Sequence, residues 1–506
     1  MSSLKKAAIW TTGLALLLKL SGFLRESIVA REFGASDATD GYFLAFSFIT
    51  LVVAMIATGF NNVFLPMYIK RRQDGTGATE NNANALLNWT MIIFIGVSVA
   101  GWFSAEWLVP FVYRSMTPGA EAIAVEMTEV FFIFMVFIAL AGLLESYLQS
   151  RRIFVPTLVS KLLATLMAAV FALLFSDVWG IYSVAYGFVF GTIVGAAIQV
   201  FYLIKSDYSW KPTLQMESDF RKAFLVLIVP SLLNSVVGQV NLFVNKAFAS
   251  GTGFEGAVTY LNYSQLIVSI PNAIYAATLA AIIFTLMSEQ TNDFAKFKDT
   301  VFRGMEISFV TLVPIAVGLL VVGDAAIAFI YERGAFTEAD TANTHIALLF
   351  YLPIIIFQGM QLILSKSMYA RGKTAVVFKI SVTTILVNLV LNWLLVDRFG
   401  YVALAFAASV VSIYYFTISM IVVYSDLGMD QFKRFASMAI RVILPAAVMG
   451  LVVALAKIGL GANEWYSLVQ LAVLVPIGVF VYAVMLRFVH PEGFKRFLGL
   501  LKRGKK

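Results

Sequence analysis

The sequence predicts an all-α polytopic membrane protein of about fourteen transmembrane helices, built as two parallel six-helix repeats followed by two C-terminal helices. Three observations carry this. Of 506 residues, 60% are hydrophobic and 13% charged, and the mean hydropathy is +0.86. A soluble chain carries about 25% charge, because its surface must face water. Apolar runs of about 20 residues, enough helix to cross about 30 Å of hydrocarbon, recur from end to end. The basic residues also cluster at alternate ends of these runs. A membrane β-barrel is excluded, since a barrel strand needs only about 10 alternating residues.

The expected spans run 7–33, 40–69, 84–112, 121–149, 155–176 and 179–204 in the first repeat. They continue 223–249, 256–287, 303–330, 341–369, 374–396 and 400–425 in the second, with 436–458 and 465–488 appended. The domain division is therefore 1–222, 223–430 and 431–506. The first run is too long, and too polar at its centre, for a cleavable signal. An even number of spans puts both termini on one side. With the N-terminus cytoplasmic, inside segments and the tail hold 25 of the 37 basic residues, against six outside: Arg31, Arg114, Lys246, Arg333, Arg398 and Lys457. That asymmetry sets the orientation. It also excludes nucleic acid as a partner, because the net charge of +8 follows topology and forms no patch.

The repeat is read from helix ends. Arg31-Glu32-Phe33-Gly34-Ala35-Ser36 closes span 1 and Lys246-Ala247-Phe248-Ala249-Ser250 closes span 7. Ser146-Tyr147-Leu148-Gln149-Ser150-Arg151-Arg152 leaves span 4 and Ser367-Met368-Tyr369-Ala370-Arg371-Gly372-Lys373 leaves span 10. Six spans is even, so the copies run parallel, about an axis along the membrane normal.

Several chemistries are excluded. There is no cysteine, hence no disulfide and no thiolate-bound metal. His345 and His490 are distant in sequence and read as surface or interfacial side chains. No loop is long enough for a soluble catalytic core, and no phosphate-loop motif is present, so ATP is not hydrolysed by this chain.

Most charges within spans lie near an end. Lys161, Lys366, Lys379 and Arg441 toward the cytoplasm, and Lys246 toward the exterior, are expected to snorkel to headgroups; Glu145 is expected to face Arg151 and Arg152. Span 1 differs. Lys19 sits at its centre and Arg25 about 7–8 Å from the centre at 1.5 Å per residue. Lys19, Gly22 and Glu26 share a helical face with Arg25 beside it. Charges at that depth face a bundle interior or a water-filled path. The alternative is a structural Arg25–Glu26 or Lys19–Glu26 pair. Two polar stripes accompany them: Asn234, Gly238, Asn241 and Asn245 in span 7, and Asn262, Gln265, Ser269 and Asn272 in span 8. Each lies on one helical face, as a cavity lining or as interhelical glue.

Particular stretches carry a family resemblance. These are Ser21-Gly22-Phe23-Leu24-Arg25-Glu26, then Phe33-Gly34-Ala35-Ser36 and Ala38-Thr39-Asp40-Gly41-Tyr42-Phe43. Gln239-Val240-Asn241-Leu242-Phe243-Val244-Asn245, Tyr331-Glu332-Arg333-Gly334-Ala335-Phe336-Thr337 and Tyr369-Ala370-Arg371-Gly372 follow in order. In these the sequence resembles the MurJ/MviN lipid II flippases, within the superfamily that also holds multidrug exporters and polysaccharide flippases. It departs from the family at 52–59, VVAMIATG, where two arginines and a glutamate are replaced, and in span 8, where Ser264 and Gln265 stand near a missing Asp-Arg pair.

The resemblance implies two bundles around a cleft that opens alternately to each side, with helices 13 and 14 forming a lipid groove. It implies a multi-pass protein of the bacterial cytoplasmic membrane, with both termini cytoplasmic, working as a monomer. The implied partners are membrane lipids, cell-wall synthesis proteins and an undecaprenyl-pyrophosphate-linked saccharide, lipid II first. Lys19, Arg25, Glu26 and Asp40 match charged positions of the family; with the polar stripes, the expected substrate contacts are Lys19 and Arg25 on the diphosphate, Glu26 orienting Arg25 or coupling to a cation, and Asn241, Asn245, Asn262 and Gln265 toward the sugars. No cofactor is implied, and the drive is Na+, H+ or the membrane potential. The alternatives are a flippase for an exopolysaccharide or teichuronic-type unit, and a cation-coupled drug antiporter. The excess positive charge of span 1 argues against the antiporter. A membrane enzyme would need a carboxylate or histidine cluster, and the outer acidic residues Asp37, Asp40, Glu332, Glu338 and Asp340 are scattered.

Overall fold

The computed structural model describes residues 2–74, 78–206, 208–276, 281–290 and 293–495. Among these residues the regular structure is helical, with no strand. In hydrocarbon every backbone amide must be satisfied within its own segment, which a helix achieves residue by residue. The helices are α1 (Ser2–Phe33), α2 (Asp37–Gly59), a π-helical turn (Phe60–Phe64), α3 (Leu65–Asp74), α4 (Thr79–Val112), α5 (Pro118–Ile133), α6 (Met135–Ser150), α7 (Val155–Trp179) and α8 (Tyr182–Lys205). Then come α9 (Ser218–Ser250), α10 (Ala257–Tyr275), α11 (Ala281–Glu289), α12 (Phe294–Tyr331), α13 (Glu338–Ala370), α14 (Thr374–Phe399), α15 (Val402–Leu427), α16 (Met429–Gly459) and α17 (Ser467–Val489). Ten described helices are long and apolar enough to cross a membrane, or eleven with α5 and α6, bent by 53°, as one span. The other three expected spans coincide with α1, α9 and the pair α10 and α11.

Helix ends follow local chemistry. Thr117 caps α5, with Pro118 in its first turn, and Thr337 with Asp340 forms a capping box on α13. Turn geometry repeats along the chain: left-handed backbone occurs at Arg152 and Gly372, and positive φ at Gly180 and Gly400. Both pairs are 220 residues apart, close to the separation of the repeated helix ends.

The contacts group into two compact units, Met1–Thr259 with Arg333–Phe336, and Tyr260–Glu332 with Thr337–Lys506. In the first, α2 packs on α5, α6 and α9, and α1 lies along α7. The contact boundary thus falls after α9, because α9 is held to α2. An aromatic core around the π-helical turn, with Phe64 stacked on Tyr147 at 4.6 Å, joins α3, α4, α6 and the start of α9. In the second unit α13 packs on α12 and α15, and α16 and α17 pack together against α12.

The connection into α9 is an extended strap along α4. Asn84, Asn88 and Trp89 donate to the carbonyls of Ser209, Lys211, Thr213 and Leu214 at 2.8–3.0 Å. Glu217 ends the strap, accepting from the Ala78 N–H, Asn82 and Arg71. These bonds hold its carboxyl below the usual range.

Several charges are placed otherwise than expected. The Arg151 side chain is buried between the Tyr68 and Tyr208 rings, at 5.4 and 5.0 Å. Glu145 pairs with Lys161 at 2.8 Å, not with Arg151 or Arg152. His490 is buried and bonded to Glu306 at 2.7 Å, so it is not a surface histidine.

Candidate functional site

The charged group in the first unit is built from α1, α2 and α9. Arg25 donates Nε to Glu26 Oε1 at 3.1 Å and pairs with the same oxygen through Nη2. Its guanidinium lies 5.2 Å from the centre of the Phe46 ring, where a cation is attracted by the ring's negative face. Glu26 is 3% exposed, and its Oε2 is buried without a hydrogen-bond partner among the described residues. The pairing chosen is thus Arg25–Glu26. Lys19 lies exposed on α1 and, among the described residues, forms no ion pair.

Opposite, Lys246 of α9 turns inward rather than snorkelling outward. Its Nζ donates to the Phe43 carbonyl and to Ser47 Oγ, both at 2.7 Å, and Ser47 Oγ in turn donates to Phe43 O at 2.8 Å. The carboxylates of Glu26 and Asp40 both act on this ammonium. The sequence reading missed Lys246 as an interior group. The available signal was its place one residue beyond Asn245, at the end of a polar stripe.

Asp40 is 5% exposed and occupied. Oδ1 accepts from the Thr259 N–H at 2.8 Å and the Thr259 hydroxyl at 2.6 Å, and Oδ2 from the Val258 N–H at 3.4 Å. It closes the first turn of α10, a position the helix dipole favours for an anion. Its carboxylate is taken up by that structural role.

Asn241 and Asn245 are half-buried on α9, while the side chains of Asn234 and Gly238 fall outside those described. In the second unit Asn262 is half-buried and Gln265 exposed. The stripe on α10 divides: Asn272 donates toward Ile354 O and Gln358 on α13 at 3.5 and 3.3 Å, which is interhelical glue. Among the described residues no group of His, Asp and Glu is arranged to hold a metal.

The sequence model of the family described as "Lipid II flippase MurJ" matches residues 29–477. The chain belongs to the lipid II flippase MurJ family. The MurJ match opens at Val29, so Arg25 and Glu26 precede it, while Asp40, Asn241, Asn245, Lys246, Asn262 and Gln265 lie within it. Among relatives, the chain is 27% identical over 426 residues to the lipid II flippase MurJ of Burkholderia cenocepacia, covering 81% of each chain. It is 24% identical over 511 residues to a probable lipid II flippase MurJ of Thermotoga maritima, covering both chains fully. Its fold is that of a solved MurJ in an inward closed conformation, with TM-score 0.80, 21% identity, and coverage of 96% of this chain and 99% of that one. A multidrug resistance MATE transporter is more distant, with TM-score 0.68 and 13% identity. As a MurJ-family member the chain is a polytopic transporter and not an enzyme.

Proposed function

We propose that this chain translocates lipid II from the inner to the outer leaflet of a bacterial cytoplasmic membrane. The observation that carries the reading is the family match across residues 29–477, on a polytopic helical fold. Arg25 suits the diphosphate by type, because a planar guanidinium matches phosphate oxygens bidentately. Lys19 supplies a second positive charge on the same helix, and Asn241, Asn245, Asn262 and Gln265 offer amides of the kind that meet sugar hydroxyls. The drive is a gradient of Na+ or H+, or the membrane potential. Both termini are cytoplasmic on the positive-inside pattern.

Complementation tests this. A host depleted of its own lipid II flippase should regain growth when this chain is expressed. Arg25→Ala at equal membrane level should lose most of that rescue, and Lys19→Ala should weaken it. No rescue by well-expressed wild type would overturn lipid II as the substrate. The altered segment at 52–59 and the lost span 8 pair would then favour another lipid-linked saccharide. Rescue untouched in both variants would overturn the site.

A further inference from the structure

The second unit holds a group of ionisable side chains that the substrate reading does not use. It lies where α12 departs from helical geometry, at Val322, with φ −117° and ψ 17°. Lys457, in the last turn of α16, reaches this break. Its Nζ donates to Val321 O at 3.0 Å and to the two oxygens of Asp324 at 2.8 and 2.6 Å. One ammonium thereby ties α16 to both sides of the kink. On α13 the His345 ring lies against the next residue of α12: a β-carbon on Gly323 would stand 3.4 Å from His345 Nε2. That nitrogen is buried and has no hydrogen-bond partner among the described residues.

We propose that His345, Asp324 and Lys457 form a proton-binding latch that couples the kink of α12 to α16. With His345 neutral, Lys457 and Asp324 satisfy each other and hold the break. A proton taken from water onto His345 makes an imidazolium against Gly323, the residue next to Asp324 in the chain. Two cations then share one anion, the hold of Lys457 weakens, and α16 is released from the kink. Asp324 is 38% exposed, whereas Lys457 is 13% exposed. Among the described residues, the charged groups acting on His345 are Asp324 of α12 and Lys457 of α16. No charge of α11, α14 or α15 joins them. The acidic groups at the start of α13 are engaged elsewhere or remote: Asp340 caps Thr337 and accepts from the Tyr260 hydroxyl at 2.8 Å. On the proposed topology the latch lies toward the exterior.

The chain has no cysteine, so spin labels can be placed cleanly. Leu320→Cys on α12 and Leu455→Cys on α16 are exposed positions. The distance between their labels, measured by electron paramagnetic resonance in lipid nanodiscs, should change as the pH is lowered from about 8 to about 4, across and below histidine's ordinary value of about 6.5. In His345→Gln the change should vanish, with the high-pH distance kept throughout. In Lys457→Met the low-pH distance should persist at every pH. A wild-type distance independent of pH, or an unchanged response in His345→Gln, would overturn the latch. The readout is helix separation and not flipping, so it stands or falls separately from the flippase reading.

Discussion

A carboxylate buried at the start of a helix is held by amides, and Asp40 shows the consequence for site assignment. A sequence motif places it beside a substrate path, yet its oxygens are used by Thr259 and Val258. Removing its charge should therefore act first on stability. Asp40→Asn is expected to cost about 1.5–3 kcal/mol, the range for hydrogen bonds to a charged group, seen as a lower melting temperature of the purified protein in detergent. Rescue should fall only as far as folded protein falls. A variant with wild-type melting and no rescue would instead return Asp40 to the substrate. Arg25 and Glu26 differ in kind, because depth alone marked them as interior charges, while the pairing stayed open between Arg25–Glu26 and Lys19–Glu26. Lys246 was not legible. Whether a lysine near a helix end snorkels or turns inward depends on what the facing helix offers, here a carbonyl and the Ser47 hydroxyl.

At the scale of elements, the pair α7 and α8 shows why small residues matter where no hydrophobic effect drives helices together. Gly187, Gly191 and Gly195 recur every fourth residue on α8. A β-carbon on each would stand 2.3 Å from Met167 O, 2.5 Å from Leu163 O and 2.2 Å from Ser160 Oγ. Backbones approach this closely only without side chains between them. Gly191→Leu is expected to destabilise by about 1–3 kcal/mol or more through overpacking, read as reduced monodisperse yield and earlier thermal aggregation. A variant as stable as wild type would show that the helices can separate freely. This glycine spacing is visible in the sequence, but it identifies a face without naming its partner. Likewise, the asparagines of α4 gave no sign that they would bind the strap, since their partners are backbone carbonyls more than a hundred residues away.

At the scale of the whole molecule the testable property is orientation. Lys211 lies in a segment expected inside and Glu255 in one expected outside, and both are exposed. In intact cells, a membrane-impermeant maleimide should label Glu255→Cys, while Lys211→Cys should react only after permeabilisation. The reverse pattern would invert the topology and the direction of transport assigned to it.

Sequence alone established that this is a helical multi-pass protein, where its apolar segments lie, and which family it resembles. The first two follow from local composition, because in a bilayer a segment's hydropathy and its own backbone hydrogen bonds decide whether it spans, whereas the resemblance rests on short motifs. Only the tertiary structure decided the fate of individual polar groups. It set Lys246 against α2, Asp40 on α10, Arg151 between two tyrosines and His490 on Glu306. Those outcomes depend on which partner a distant helix brings within about 3 Å, the reach of a hydrogen bond, and hydropathy carries no information about that.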